Sequence, residues 1–271
     1  IVTMAEWVED PEFIEELVDS DEKKVKNKTR CLIIKHDSLE NKFIRIIHSR
    51  GDGLAFRIWP AASLLTDYIL KHQPDCLYRT MKDGTKQPRR KRGIVLELGA
   101  GVGTLGLLTA SLGLRTIVTE LKESVPALER SIKANKFDSE RIFAMPLNWF
   151  KSADADKVIA ILRKKNELKR VVILLTDCTY WDSLFVPLAS TIQRILERVR
   201  AEGGNGVALC GHERRQWKTE KRFFTKRLRQ HKLEAETIHE CLRVGEETNS
   251  THEHSGGWNQ RIYEIRLRKD D

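Results

Sequence analysis

From Gly93 onward the chain alternates between short apolar runs and amphipathic stretches, and this alternation predicts the fold. Five runs have the length and β-branched content of strands: Ile94–Leu98, Thr116–Glu120, Arg141–Met145, Val171–Thr176 and Gly206–Cys210. IVLEL and VVILLT are apolar almost throughout rather than alternating, as expected of parallel strands covered by helices on both faces. Helices are predicted between the strands over Thr104–Leu112, Glu123–Asn135, Asp156–Leu162 and Pro187–Arg200. Repetition of strand and helix predicts an α/β domain. A helix over Trp217–Gln230 and two alternating runs, LEAETI and RIYEIRLR, follow; these runs are expected to pair antiparallel at the sheet edge.

The chain before Gly93 reads differently. TRCLIIK and NKFIRII are β-branched runs separated by a hairpin-sized interval, His36–Glu40, and LAFRI follows the Gly51-Asp52-Gly53 turn. Residues 29–58 are therefore expected to form a small antiparallel unit. AASLLTDYILKH places Ala61, Leu64, Leu65, Tyr68 and Ile69 on one helical face, with Pro60 suited to its first turn. Residues 1–28 are acidic up to Glu22 and then basic, and Trp7, Phe13, Ile14 and Leu17 suggest a short helical stripe. The segment from Arg79 to Arg92 carries seven Lys or Arg against one Asp, and its Gly and Pro predict an exposed loop. The division expected is an acidic N-terminal segment with a small β unit over 1–58, and a main domain over 59–271.

Composition narrows the function classes. Apolar residues make up 40% and charged residues 32% of the 271 residues, an ordinary globular mixture. Lys and Arg exceed Asp and Glu by 48 to 39, a net +9 that permits a polyanionic partner without requiring one. No apolar run is long enough to span a membrane, and the acidic start lacks the form of a secretory signal. Five cysteines, far apart and without a CxxC pair, argue against a disulfide scaffold or a structural zinc site. His252 and His254 are close together but lie in a polar loop, so no metal is expected.

IVLELGAGVGTLG carries the most chemistry. A buried strand runs into Gly99, Gly101 and Gly103, and a helix opens at once. Glycines there let the chain turn sharply and let a ligand approach the backbone. Glu120 ends the next strand, where a carboxylate can accept hydrogen bonds from ribose hydroxyls. A nucleoside-bearing cofactor follows, although Gly101–Gly106 literally satisfies the GxGxxG dinucleotide pattern and glycine spacing alone does not say which nucleoside. A P-loop is excluded because no Gly-Lys-Ser/Thr follows. Glu97, inside an apolar strand, must reach polar ligand or backbone groups or pair internally; the ligand side is the expectation.

VLELGAGVGTLGLLTASLG followed by VTEL resembles the opening of seven-strand S-adenosylmethionine-dependent methyltransferases, in which an acidic residue like Glu97 precedes the glycine turn. More narrowly, RIWPAASLLTDYI, PLNWF, LLTDCTYWDSLFVPLASTI and the closing GHERRQWKTEKRFF and IYEIRLRK resemble the protein-lysine methyltransferases related to the valosin-containing-protein lysine methyltransferase. The resemblance covers roughly 55–271. Pro60 departs from it, since relatives often have Asp after the Trp, and the basic 79–92 segment is unusually long. It implies a Rossmann-like seven-strand fold with an antiparallel C-terminal edge strand and a small N-terminal β-hairpin extension. It also implies S-adenosylmethionine as cofactor, with S-adenosylhomocysteine as product. Asp177 and Tyr180 would stand at the cofactor–substrate junction. Trp149 would pack on the adenine beside Asn148, and Trp59 would lie near the cofactor's amino-acid end. Gly99, Gly101, Gly103, Glu97, Glu120 and Leu121 would complete the cofactor site, with Trp181 at the substrate entrance.

The function so implied is methyl transfer to a lysine amine of a folded protein, by a monomer acting in the cytoplasm and also the nucleus. A same-fold enzyme acting on RNA or a small molecule is the alternative, supported by the basic segments 79–92 and 163–170 but by no appended RNA-binding module. An NAD-dependent oxidoreductase would need a hydride-transfer constellation, and none is evident. A non-enzymatic module is disfavoured by the retained glycine turn, Glu120, Trp149 and Asp177.

Overall fold

Runs of Val, Ile and Leu become strands buried along their length. The computed structural model describes residues 5–10, 29–49, 53–90, 93–165, 167–215, 217–243 and 258–269. Strand β6 (Ile94–Leu98) is buried at every position, and β9 (Arg170–Thr176) at all but its two ends. Together with β7 (Arg115–Glu120), β8 (Ile142–Pro146) and β10 (Asn205–Glu213), they form a parallel array. Strands β11 (Leu233–Arg243) and β12 (Trp258–Leu267) extend it beyond β10. Among the described residues the sheet has seven strands in the order β11-β12-β10-β9-β6-β7-β8. As expected, the last two strands pair antiparallel at that end of the sheet, with β12 inserted between β10 and the outermost β11.

Helices cover both faces. α1 (Pro60–His72) and α2 (Thr104–Ser111) pack on one side with α3 (Val125–Ala134); α4 (Ser152–Lys164) and α5 (Asp182–Ala201) pack on the other. α2 is buried at all its positions, so its face pattern vanishes and its sequence reads as apolar all round. α5 starts five residues before Pro187, where its onset was predicted; the proline sits inside the second turn. α6 (Trp217–Arg222) runs through a π turn (Phe223–Arg227) into α7 (Leu228–Gln230), as one continuous helical stretch where one was expected.

Strands β2 (Thr29–Lys35) and β3 (Phe43–Ser49) form the predicted hairpin, with Thr29 opposite Ser49 and Lys35 opposite Phe43. Ile34, Ile44 and Ile46 join the cluster containing Leu65, Val95 and Leu105. Asn135 at the end of α3 ties the hairpin down: its Oδ1 accepts the Arg45 N–H at 2.7 Å and its Nδ2 donates to the Arg45 carbonyl at 2.6 Å.

Three expectations need correction. Trp7 lies in a strand, β1 (Glu6–Glu9), which pairs with β2, so its setting is extended and not helical; Phe13, Ile14 and Leu17 fall outside the described residues. LAFRI forms one 3-10 turn, Leu54–Phe56, rather than a third strand. The basic segment is partly regular, because β4 (Tyr78–Thr80) and β5 (Lys86–Pro88) pair antiparallel around a turn containing Gly84. Three-residue strands, YRT and KQP, are too short to carry a period-2 apolar signal, which hides them in the sequence.

Candidate active site

The strand order changes direction at β6, between β7 and β9, and ligands of open α/β sheets lie beyond the carboxyl ends of the strands at such a point. A cavity of about 590 Å³ opens there. It is lined by Trp59, Gly99, Gly101, Glu120, Trp149 and Asp177, which come from widely separated parts of the chain. Glu97, Leu121, Asn148 and Tyr180 line it too. Gly103 does not; it caps α2 in a left-handed conformation at φ 82°.

Gly99 turns the chain out of β6 at φ 61°, a conformation that L side chains resist. A Cβ there would stand 2.9 Å from the Trp149 ring and 3.1 Å from Cys178 Sγ. The indole and thiol thus close on the glycine backbone, and any larger residue would hold Trp149 away from the cavity floor. Glu97 lies just before this turn, and its Oε2 accepts the Gly106 N–H of α2 at 2.8 Å. It therefore lines the cavity and also satisfies buried backbone. Burial, reinforced by the neighbouring Glu120, pushes its pKa up to about 8.

Glu120 ends β7 with Oε1 accepting the Gly101 N–H at 3.3 Å and Oε2 accepting the Leu121 N–H at 2.5 Å. Burial raises this carboxyl also, against the lowering effect of those two N–H groups. An acceptor held by short local bonds at the rim of an apolar, Trp-floored cavity suits the hydroxyls of a ribose. The Leu121 side chain is half exposed beside it. Asn148 is a local brace: its Oδ1 accepts the Phe150 N–H at 3.0 Å, while its own N–H donates to Asp154. Trp59 Nε1 donates to the Leu54 carbonyl at 3.1 Å, which fixes the indole across the cavity mouth.

Asp177 follows β9 with φ 51°, and its N–H donates to the Gly211 carbonyl of β10 at 3.0 Å. Its Oδ1 accepts the Glu213 N–H at 3.0 Å. Its Oδ2 accepts from Arg215 Nη2 at 3.0 Å, and the same nitrogen reaches Glu213 Oε2 at 2.6 Å. The Arg215 guanidinium also lies 5.2 Å from the centre of the Trp59 ring. Burial alone would lower its pKa, but the two carboxylates outweigh that and raise it. Tyr180 and Trp181 stand beside this network in edge-to-face contact, both substantially exposed at the opening.

Arg215 lines the cavity and escaped the sequence reading, since an arginine after a strand has no distinctive spacing. The nearest signal was the GHERR run closing β10. His212, from the same run, is buried away from the cavity: Nδ1 meets Thr179 Oγ1 at 3.1 Å and Nε2 meets Glu220 at 3.2 Å. It ties the turn after β9 to α6.

A family model described as lysine methyltransferase matches residues 38–230. The protein-lysine N-methyltransferase EFM6 of Saccharomyces cerevisiae is 29% identical over 193 residues, covering 68% of this chain and 73% of its own length. EEF1A lysine methyltransferase 3 of Mus musculus is 31% identical over 97 residues, 36% of each chain. A crystal structure described as a methyltransferase, SMU.776, complexed with SAH superposes with a TM-score of 0.51 at 13% identity, over 88% of this chain and 56% of that one. That likeness is one of fold. Among the described residues no helix is long and apolar enough to cross a membrane. With the family model spanning most of the sheet and its helices, the chain belongs to the lysine methyltransferase family, and its cofactor is S-adenosylmethionine.

Proposed function

We propose that the cavity at the carboxyl ends of β6, β7 and β9 holds S-adenosylmethionine beside the side chain of a lysine from a folded protein, and that Asp177, Tyr180 and Arg215 arrange the amine for attack. The observation that carries this reading is the convergence of three parts in one crevice: the glycine turn with Glu120, the Trp149 floor, and the Asp177–Arg215 network next to two exposed aromatics.

Glu120 would accept from the ribose hydroxyls, the Gly99–Gly101 backbone would let the ligand sit close, and Trp149 would pack on the base. Trp59 would border the amino-acid end. When bound, the cofactor supplies a methyl group activated on a sulfonium. The lysine nitrogen must arrive neutral, its lone pair free to form the new carbon–nitrogen bond as the carbon–sulfur bond breaks; the resulting methylammonium then releases a proton. A free lysine side chain titrates near 10.4, and a bare carboxylate nearby would raise that value further. Arg215 offsets this effect by pairing with both Asp177 and Glu213. Asp177 then serves as a hydrogen-bonding positioner whose charge is partly offset by the shared guanidinium. Tyr180 and Trp181, exposed at the opening, would flank the entering lysine side chain and shield its amine from water once it is bound, and alignment there would account for much of the barrier reduction.

The test is transfer from radiolabelled S-adenosylmethionine into an extract of cells lacking the enzyme, divided between protease and RNase treatment. Purified EEF1A, the protein in the mouse relative's name, is the first defined acceptor to add. Label in a protease-sensitive, RNase-resistant band, absent with Glu120→Ala/Asp177→Ala, supports the reading. Label removed by RNase would replace it with RNA methylation.

A further inference from the structure

At the opposite rim of the sheet, where β6 and β9 begin, lies a second groove of about 720 Å³. Arg79 comes to it from β4, Arg89 and Arg90 from the end of the β4–β5 hairpin, and Lys169 and Arg170 from the start of β9. Gln87 and Pro88 line it as well, so among the described residues five cations converge with no carboxylate between them. Among the described residues, Arg79, Arg89, Arg90 and Arg170 make no ion pair, whereas Arg115, Arg141, Arg163 and Arg194 elsewhere on the domain each have a carboxylate partner.

Four of the five cations are held in place by contacts that leave their charge unbalanced. Arg89 Nε donates to the Asp75 carbonyl at 2.8 Å, and Lys169 Nζ to the Glu202 carbonyl at 3.0 Å. The Arg90 guanidinium lies against Gly113, where a Cβ would stand 2.5 Å from its Nε. Arg170 is half-buried, packed beside Gly93, and burial together with the Arg89 charge pulls its pKa down. Like charges gathered on fixed stems, with no internal counter-ion, form a site that a multivalent anion would relieve.

We propose that this groove binds the phosphate backbone of single-stranded RNA, independently of base sequence. Planar guanidinium forks match phosphate oxygens. Among the described residues the groove presents no aromatic side chain on which bases could stack, so contact is with the backbone alone and is independent of base sequence, and it presents no apolar pocket for the side chains of a peptide. β6, five residues or about 17 Å long, separates this rim from the methyl-transfer cavity. The stretch of RNA seated in the groove itself therefore lies outside the methyl-transfer cavity. The +9 net charge favours its encounter.

The experiment titrates fluorescein-labelled oligouridylate into the full chain across a series of salt concentrations, with a polyglutamate peptide as competitor and S-adenosylhomocysteine affinity as the control for folding. Four arginine–phosphate contacts predict a slope of log K against log salt of about −3. Arg79→Glu/Arg90→Glu reverses two exposed charges outside the catalytic machinery; it should cut the slope by about half and weaken binding about tenfold. Arg79→Gln/Arg90→Gln should do the same to a smaller degree, with S-adenosylhomocysteine binding unchanged in both. Equal RNA affinity in wild type and variants overturns the proposal. So does absence of binding at low salt, and so does displacement by polyglutamate at equal charge, which would make the groove a dock for an acidic protein surface.

Discussion

Replacing Arg215 with Gln removes the counter-charge of two carboxylates at once. The Asp177 side chain is 3% exposed and that of Glu213 10%, with contacts of 3.0 and 2.6 Å to one guanidinium nitrogen. Breaking a fully buried ion pair from one side costs about 3–5 kcal/mol. Here Arg215 is 31% exposed and Asp177 keeps the Glu213 N–H, so screening and that bond reduce the loss to about 2–3 kcal/mol. For a chain of 271 residues that corresponds to a fall in Tm of about 4–5 °C. Urea unfolding of wild type, Arg215→Gln, Asp177→Asn and the double variant isolates the pair, with a coupling of about 2 kcal/mol expected. In the same series, the acid limb of kcat against pH should move to higher pH in Arg215→Gln, because Asp177 and Glu213 left unbalanced would hold the substrate amine protonated. Additive stabilities within about 0.5 kcal/mol, with an unmoved pH limb, would refute the electrostatic role given to Arg215.

Further outcomes follow from the same geometry. Glu120→Gln should weaken S-adenosylhomocysteine binding about 10- to 100-fold by calorimetry, the value of charge-assisted hydrogen bonds to hydroxyls, without lowering Tm comparably. Glu97, held near 8 when folded against 4.5 for an unperturbed carboxyl, binds more protons in the native state, so its contribution to stability falls as pH rises from about 4.5 to about 8. Glu97→Gln should remove that part of the slope, up to about 1.4 kcal/mol per pH unit, in urea melts across the window; identical slopes in the two proteins would contradict it. Trp181→Ala, at an exposed position on the opening, should raise KM for the protein acceptor while leaving S-adenosylhomocysteine affinity within about twofold.

The parallel core was legible because its strands are apolar without interruption: Ile94–Leu98 emerges with its predicted bounds, and Val171–Thr176 differs by one residue. The glycine turn and Glu120 were legible for a related reason, since a bend out of a buried strand and a carboxylate at the next strand's end leave marks of type and spacing. What stayed hidden depends on partners distant in sequence. Trp7 becomes extended through pairing with Ile34, which no local period reports. The Tyr78–Pro88 hairpin has strands too short to show alternation. The start of α5 was misplaced because Pro187 is a common first-turn residue, and here it is accommodated inside the helix. Arg215 entered the site only through the fold, which sets the second residue after β10 beside Asp177 and Trp59.

The central claim is that this cavity joins the cofactor to a lysine of a protein. The most direct measurement uses S-adenosylmethionine carrying a deuterated methyl group, the purified chain and the acceptor band from the labelled extract, followed by fragmentation mass spectrometry. The account predicts deuteriomethyl on a lysine Nζ in one protein, abolished by Glu120→Ala and strongly reduced by Asp177→Ala. Deuteriomethyl on a nucleotide or on another type of side chain, or transfer undiminished in both variants, would contradict it.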